Sequence, residues 1–331
     1  MVDYYFCLDI GESFTKIADV KKTGNLLEVV NIGYIESDPN FYPTEGEKVI
    51  ENQTNTIKKL LTSLKITKKN VNIIIPDALS YSQILEMPRL NEKELISAIK
   101  YQADQFIPMP IEEANIDIEI LSDNEETKKL LVLLIAAPKK IVEKIQGAVE
   151  GAGLIPDAIE NELSATARFL SEFYSQIYRN KTDASVIVNL SLNSCSLYFF
   201  DSKSQLVLIN HTFPIGYRLF LKEIQVNLNI DEKKAIEVLK AYNNSIANIE
   251  EPILKEFQFE IKRFINLIAD KYHYTVNRVC LINEAVRFPA LASIISAELL
   301  NPRSLFQNSP LTETLGSDLS MFITTIGGNL R

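Results

Sequence analysis

The residues whose types and spacing can do chemistry begin at Asp9. The run Asp9-Ile10-Gly11-Glu12-Ser13-Phe14-Thr15-Lys16 sets a carboxylate, a glycine turn and a cation at DxGxxxxK spacing. At a strand end, Asp9 can hold a Mg²⁺ ion through water. Gly11 admits strained turn angles and a close approach of backbone N–H groups to an anion, and Lys16 sets a cation on it. That is phosphate-binding chemistry, with Glu12 and Ser13 in the same turn. Alone the string is a weak motif and suits an ordinary tight hairpin with a solvated lysine equally well. Its weight comes from a repeat. A gap-free shift of 180 positions lays Asn189 on Asp9, Ser191 on Gly11 and Ser196 on Lys16. The facing segment Asn189-Leu190-Ser191-Leu192-Asn193-Ser194 has neither carboxylate nor glycine at those places. Asparagine can ligate Mg²⁺ but brings no charge. Further on, Gly216 precedes a helix whose N-terminus can attract an anion, although an ordinary helix start explains it as well.

Other chemistries are hard to build. The two histidines, His211 and His273, have no cysteine or acidic cluster at metal-ligand spacing. Cys7, Cys195 and Cys280 sit singly in apolar strand-like runs, which reads as small buried hydrophobes in a reducing compartment. Lys+Arg 34 against Asp+Glu 43 gives a net charge of −9, which repels nucleic acid and anionic lipid. The longest apolar run, residues 130–137, is far short of the ~20 residues a membrane helix needs. The opening MVDYYFCLDI has no basic region before its apolar stretch, so it does not read as a signal peptide. A cytoplasmic protein is expected.

The elements that must position these residues form two similar halves. YYFCLDI, FTKIADV and LLEVVNIGYI read as three strands, followed by a helix over 48–64 and a strand over 71–75. The second half repeats the meander over 184–190, 195–200 and 205–213. Helices over 217–228, 231–242 and 251–272, a strand over 278–282 and a helix over 289–300 complete it. Between the halves lies a strand over 81–87, a helix over 91–106 capped by Asn91 with Glu94, strands over 116–121 and 130–137, and a helix over 138–151. The chain returns through a strand over 155–159 and a helix over 162–178. The expected fold is α/β: a duplicated ribonuclease-H-like, actin-like two-lobed fold with a small α+β subdomain inserted in the first lobe. The first lobe takes 1–80 and 153–182, the insertion 81–152 and the second lobe 183–331.

Residues 87–121, MPRLNEKELISAIKYQADQFIPMPIEEANIDIEIL, and residues 137–169, APKKIVEKIQGAVEGAGLIPDAIENELSATARF, resemble the PilM and FtsA family of actin-like proteins. LDIGESFTK is similar to the family's first phosphate loop, and the likeness runs to Ile326-Gly327. It implies ATP and Mg²⁺ held between the lobes, with Glu237 and Lys240 on ribose and base; the same pair also suits a plain surface ion pair. Three departures stand against this. Asn189 and Ser191 replace the usual Asp and Gly, Gly216-Tyr217 replaces a glycine pair, and Asn283-Glu284 stand in a loop usually rich in glycine. Side chains intruding on the adenine cost on the order of 1–3 kcal/mol, a ~5- to 150-fold loss of affinity. ATP is expected to bind weakly or not at all, without turnover.

The resemblance further implies a pilus-assembly scaffold, or one of a related competence or secretion system. It would bind the cytoplasmic N-terminal tail of a PilN-like inner-membrane protein and, through it, meet the pilus platform and motor, with self-association open. The tail site is expected among 81–87, 116–121 and the adjoining first-lobe edge. An FtsA-like division protein is the alternative, but it calls for a basic amphipathic tail, and the chain stops at Asn329-Leu330-Arg331. A nucleotide-hydrolysing enzyme of the same superfamily needs the carboxylate that Asn189 replaces.

Overall fold

The computed structural model describes residues 5–101, 107–178, 184–241 and 244–331. The first strands, β1 (Tyr5–Ile10), β2 (Phe14–Thr23) and β3 (Leu26–Glu36), form an antiparallel meander. After helix α1 (Glu47–Ser63), strand β4 (Asn70–Ile75) lies parallel to β1. Strand β8 (Ile155–Asn161) then adds outside β4, giving the order β3-β2-β1-β4-β8. The second sheet is built from β9 (Ala184–Leu190), β10 (Cys195–Asp201), β11 (Leu206–Phe213), β12 (Arg278–Ile282) and β13 (Glu298–Leu299). Its order, β11-β10-β9-β12-β13, is the same. The repeat holds down to single hydrogen bonds. Gly11 N–H donates to Phe14 O at 3.0 Å, and 180 positions later Ser191 N–H donates to Ser194 O at 2.9 Å.

β9 and β10 are buried along their whole length, because the sheet is covered on both faces. On the first sheet, Ile57 and Leu60 of α1 and Ile145, Ala148 and Val149 of α3 (Lys139–Gly151) pack on Leu8, Ile10, Ile73 and Ile75. Helix α4 (Glu162–Ile177) joins the lobes. Its Phe169, Phe173 and Tyr174 share one core with Ile187, Tyr198 and Phe200 of the second sheet and with Ile323 and Ile326 of the last helix, α10 (Ile323–Asn329). Apolar packing therefore holds the lobes together at the base of the cleft.

The third sheet, β5-β7-β6, is made of β5 (Tyr81–Pro88), β6 (Ala114–Asn124) and β7 (Lys129–Pro138). Helix α2 (Glu92–Tyr101) covers one face with Leu95 and Ile99. The expected capping box is present: Glu94 N–H donates to Asn91 Oδ1 at 3.0 Å, and Asn91 N–H to Glu94 Oε2 at 3.1 Å. Positions 102–106 of the helix expected over 91–106 lie outside the described residues, as do 242 and 243.

The second lobe continues with α5 (Tyr217–Leu228), α6 (Glu232–Lys240) and α7 (Asn244–Tyr272). Two expectations are corrected here. α7 does not begin at 251 but runs through Pro252, which forfeits one intrahelical bond inside a 29-residue helix. The single helix expected over 289–300 is a short α8 (Pro289–Ile294) followed by β13. Ser296 takes φ 54, left-handed backbone that ends the helix, and Ala297 N–H returns to Ala292 O at 2.8 Å. A last short helix, α9 (Pro310–Leu315), precedes α10. No helix among the described residues is long and apolar enough to cross a membrane.

Candidate functional site

The two hairpin loops face each other and touch. Glu12 reaches across, its carboxylate accepting from Asn193 Nδ2 at 2.6 Å and from Asn193 N–H at 3.3 Å. The Ser13 and Tyr217 hydroxyls bond across the same gap. Arg287 lies over the Phe14 ring, 4.6 Å from its centre. Gly11 does not use left-handed backbone, contrary to the strained turn expected of it. Its value is space: a Cβ there would stand 2.8 Å from Phe14 O.

The start of α5 is closed to anions as it stands, which corrects the reading of Gly216. Tyr217 N–H donates to Ser191 O at 3.1 Å, Arg218 N–H to Leu192 O at 3.0 Å and Leu219 N–H to Gly216 O at 3.2 Å. The first-turn donors that a phosphate would use are thereby satisfied within the chain. Gly216 is needed because a Cβ would run into the Leu192 carbonyl.

Below the loops lies a buried polar network. Lys16 pairs with Asp9 at 2.8 Å, the two side chains 2% and 0% exposed. Asp77, just after β4, accepts from the Tyr198 hydroxyl and, at 3.2 Å, from Leu163 N–H. Glu162, at the start of α4, accepts from Asp77 N–H at 3.0 Å. Tyr198 accepts from Asn189 Nδ2 at 3.2 Å. Asn283 Nδ2 donates to Asn189 Oδ1 at 2.8 Å and to Thr324 Oγ1 at 2.7 Å. Tyr217 lies near enough to the Glu284 carboxyl to act on it electrostatically. Thus Asn283 and Glu284, expected to intrude on a nucleotide, are buried in contact with the far wall of the cleft.

Of the other expected site residues, Ser191 gives its N–H and carbonyl to the loop itself. Glu237 and Lys240 bond each other at 3.0 Å on the exposed side of α6. Asp77, Glu162 and Tyr198 escaped the sequence reading. A usable signal existed for two of them: Asp77 and Glu162 follow the C-terminal ends of the parallel strands β4 and β8, where ligand-facing groups of α/β sheets gather.

Burial pushes the Glu162 carboxyl well above the usual carboxylate range, with the Asp77 and Asp9 charges adding and Lys16 opposing. Asp77 is raised by burial, with the Tyr198 bond opposing, and Glu284 by burial against Lys16. For Lys16, burial works against the ammonium, but Asp9, Glu284 and Glu162 outweigh it and its pKa rises. A raised carboxyl pKa stabilises the fold fully below the unfolded value, about 4.3 for Glu, and that contribution is lost as pH climbs through the folded value. Glu162→Gln keeps the shape without the charge. Its melting temperature is expected to gain on that of the parent protein as pH goes from 5 to 8; a constant gap would refute the buried neutral acid.

Asp9 Oδ1, Asn283 Oδ1 and Glu284 Oε2 are buried with no hydrogen-bond partner among the described residues. No group of three or more His, Cys, Asp or Glu among the described residues could hold a metal ion. Asp9 Oδ2, the other oxygen of the proposed Mg²⁺ residue, is held by Lys16. With Glu12 on the second loop's amide and the α5 donors satisfied, the cleft as it stands presents none of these groups to a phosphate.

A second concavity, a groove of ≈ 1260 Å³, runs between the third sheet and the first lobe. Two sheet-edge strands flank it. Consecutive residues of β6 from Asn115 to Ile120 line one wall, and Ile159 to Asn161 of β8 line the other. α2 contributes Ile96 and Ile99, and α3 contributes Val142. Of the segments expected to form a docking site, residues 116–120 and the first-lobe edge are here. The third, 81–87, is not. β5 is the opposite edge of its sheet and meets the second lobe, where Asn210 Nδ2 donates to Ser82 O at 3.0 Å.

Two lobes with the same five-strand order, closing over facing hairpin loops, define an actin-like fold. Solved structures agree. The chain matches the PilM-PilN type IV pilus biogenesis complex with TM-score 0.84 at 21% identity, covering 99% of this chain and 98% of that one. Ethanolamine utilization protein EutJ from Carboxydothermus hydrogenoformans matches with TM-score 0.54 at 10% identity, over 98% of this chain and 88% of that one. MreB 5 of Spiroplasma citri, bound to AMPPNP, matches with TM-score 0.50 at 10% identity, over 98% and 94%. The sequence profile of the family described as type IV pilus assembly protein PilM matches residues 7–307. The chain belongs to that family.

Proposed function

We propose that this protein is a cytoplasmic scaffold of type IV pilus assembly, or of a related competence or secretion machine. It binds the cytoplasmic N-terminal tail of a PilN-like inner-membrane protein and meets the membrane through that partner. The observation that carries this reading is the groove between β6 and β8. Two flanking edge strands offer unpaired backbone groups to an extended segment, while Ile96 and Val142 offer apolar anchorage. In this reading residues 81–152 are the docking module, inserted between the two parts of the first lobe, 1–80 and 153–182, with 183–331 as the second lobe. The nucleotide cleft is degenerate. The Glu12–Asn193 bonds, the satisfied start of α5 and the buried Asn283 and Glu284 support a closed state that needs no ATP.

Calorimetry tests both parts. A synthetic peptide of the PilN-like tail is expected to bind one to one, and Val142→Arg, which fills the groove, to weaken it at least about tenfold, or ~1.4 kcal/mol. No binding, or binding indifferent to Val142→Arg, would remove the tail site. ATP with Mg²⁺ is expected to give no saturable binding below about 1 mM, a limit of roughly −4.1 kcal/mol. Tight binding with turnover would restore the enzyme reading.

A further inference from the structure

The charge of this protein is unevenly placed. Residues 81–152 carry 13 acidic and 8 basic side chains, a net −5 of the chain's −9. Along β6 the side chains alternate between two faces. Ile116 and Ile118 pack with the apolar cluster beneath α2. Asp117 and Glu119 alternate with them along the strand and so point to the opposite face, where Arg168, Glu160 and Arg331 act on Glu119 electrostatically. The cations on that side are largely engaged. Arg168 is held by Glu160 at 2.7 and 3.1 Å and by Gly327 O at 2.9 Å. Lys139 donates to Glu112 O at 2.7 Å, leaving Arg331 at the groove wall. Neither Asp117 nor Glu119 is in an ion pair among the described residues, and Glu143 of α3 adds a third such carboxylate to the same groove.

Resting on the proposed tail site, we infer that the groove selects an extended segment whose side chains alternate apolar and basic. Such a segment adds as a strand beside β6, its aliphatic side chains meeting Ile96 and its Lys or Arg side chains meeting Asp117 and Glu119. A strand added to an edge continues the alternation of the sheet, so the two faces of the occupant see the two faces of β6. Opposite charges on neighbouring strands attract and like charges repel, which fixes register as well as sign. Cytoplasmic segments beside membrane spans carry an excess of Lys and Arg, so the tail of a membrane partner has the required charge.

The test uses the full chain and three designed ten-residue peptides alternating Ile with Arg, Ser or Glu, together with the PilN-like tail. Affinities are measured at 50 and 500 mM salt. The Ile/Arg peptide is expected to bind about tenfold more tightly than Ile/Ser at low salt, with the gap shrinking at high salt and Ile/Glu not binding. Asp117→Asn/Glu119→Gln, both changes at positions exposed to solvent, should erase the gap; Glu126→Gln/Glu150→Gln, which removes as much charge elsewhere on the module, should leave it. Equal binding of the Arg and Ser peptides, no binding of any of the three, or an equal loss in both double variants overturns the inference. If the natural tail binds but its Lys and Arg can be replaced by Ser without effect, the charge rule falls while the tail site stands. If the natural tail alone fails, the tail site falls and the designed peptides still decide the charge rule.

Discussion

Lys16→Met is expected to cost about 3–5 kcal/mol of stability, the size typical for breaking a buried ion pair by removing one partner. Lys16 is 2% exposed and bonded to Asp9 at 2.8 Å. The loss follows from what stays behind. Asp9, Glu284 and Glu162 all act on this ammonium, and its removal leaves Asp9 buried without its ion-pair partner. Asp9→Asn is expected to cost less, because Lys16 keeps Glu284 and Glu162 nearby. The double change Lys16→Met/Asp9→Leu should recover a large part of the loss, since similarly sized apolar residues often replace a buried pair at little cost. Urea unfolding of the two single variants and the double closes the cycle. A loss under 1 kcal/mol for Lys16→Met would mean that this lysine is solvated and available to a ligand.

The same pair shows what the sequence made legible. Asp9, Gly11 and Lys16 were recognisable as one hairpin because an alternating strand pattern stops at a glycine turn and resumes. The gap-free shift of 180 positions identified the second meander, and the structure reproduces it down to the turn bonds at Gly11 and Ser191. Both are local or repeat properties, which side-chain pattern carries directly. What the pattern did not carry is which groups consume each other across the cleft. Nothing near Glu12 in the chain announces Asn193, and nothing near Asp77 announces Tyr198. The ends of α7 and α8 were misread for another reason. Proline at 252 and left-handed backbone at Ser296 both act against ordinary local preferences.

Gly327→Ala is the other change with a large expected effect, and here two effects compete. Within a helix, alanine is favoured over glycine by about 1 kcal/mol, so propensity alone predicts a gain in α10. Packing predicts the reverse. A Cβ on Gly327 would press on the Ala165 carbonyl far inside van der Waals contact, with Phe169 Cβ at 3.2 Å. A backbone carbonyl cannot swing aside, so α10 would have to move away from α4. Overpacking of this kind costs up to about 3 kcal/mol, and the net expectation is a loss of about 2 kcal/mol. Gly147→Ala in α3 is the control. Its Cβ would stand 3.6 Å from Ile50 Cγ2, an ordinary contact, so a gain of up to about 1 kcal/mol is expected. Opposite signs in thermal unfolding would establish the close approach of α10 to α4; a gain at both positions would refute it. The displacement also carries to both candidate sites. Thr324 on α10 holds Asn283 in the cleft, and Gly327 O holds Arg168 beside the groove. Gly327→Ala is therefore expected to weaken binding of the PilN-like tail as well as the fold, whereas Gly147→Ala should leave that binding unchanged.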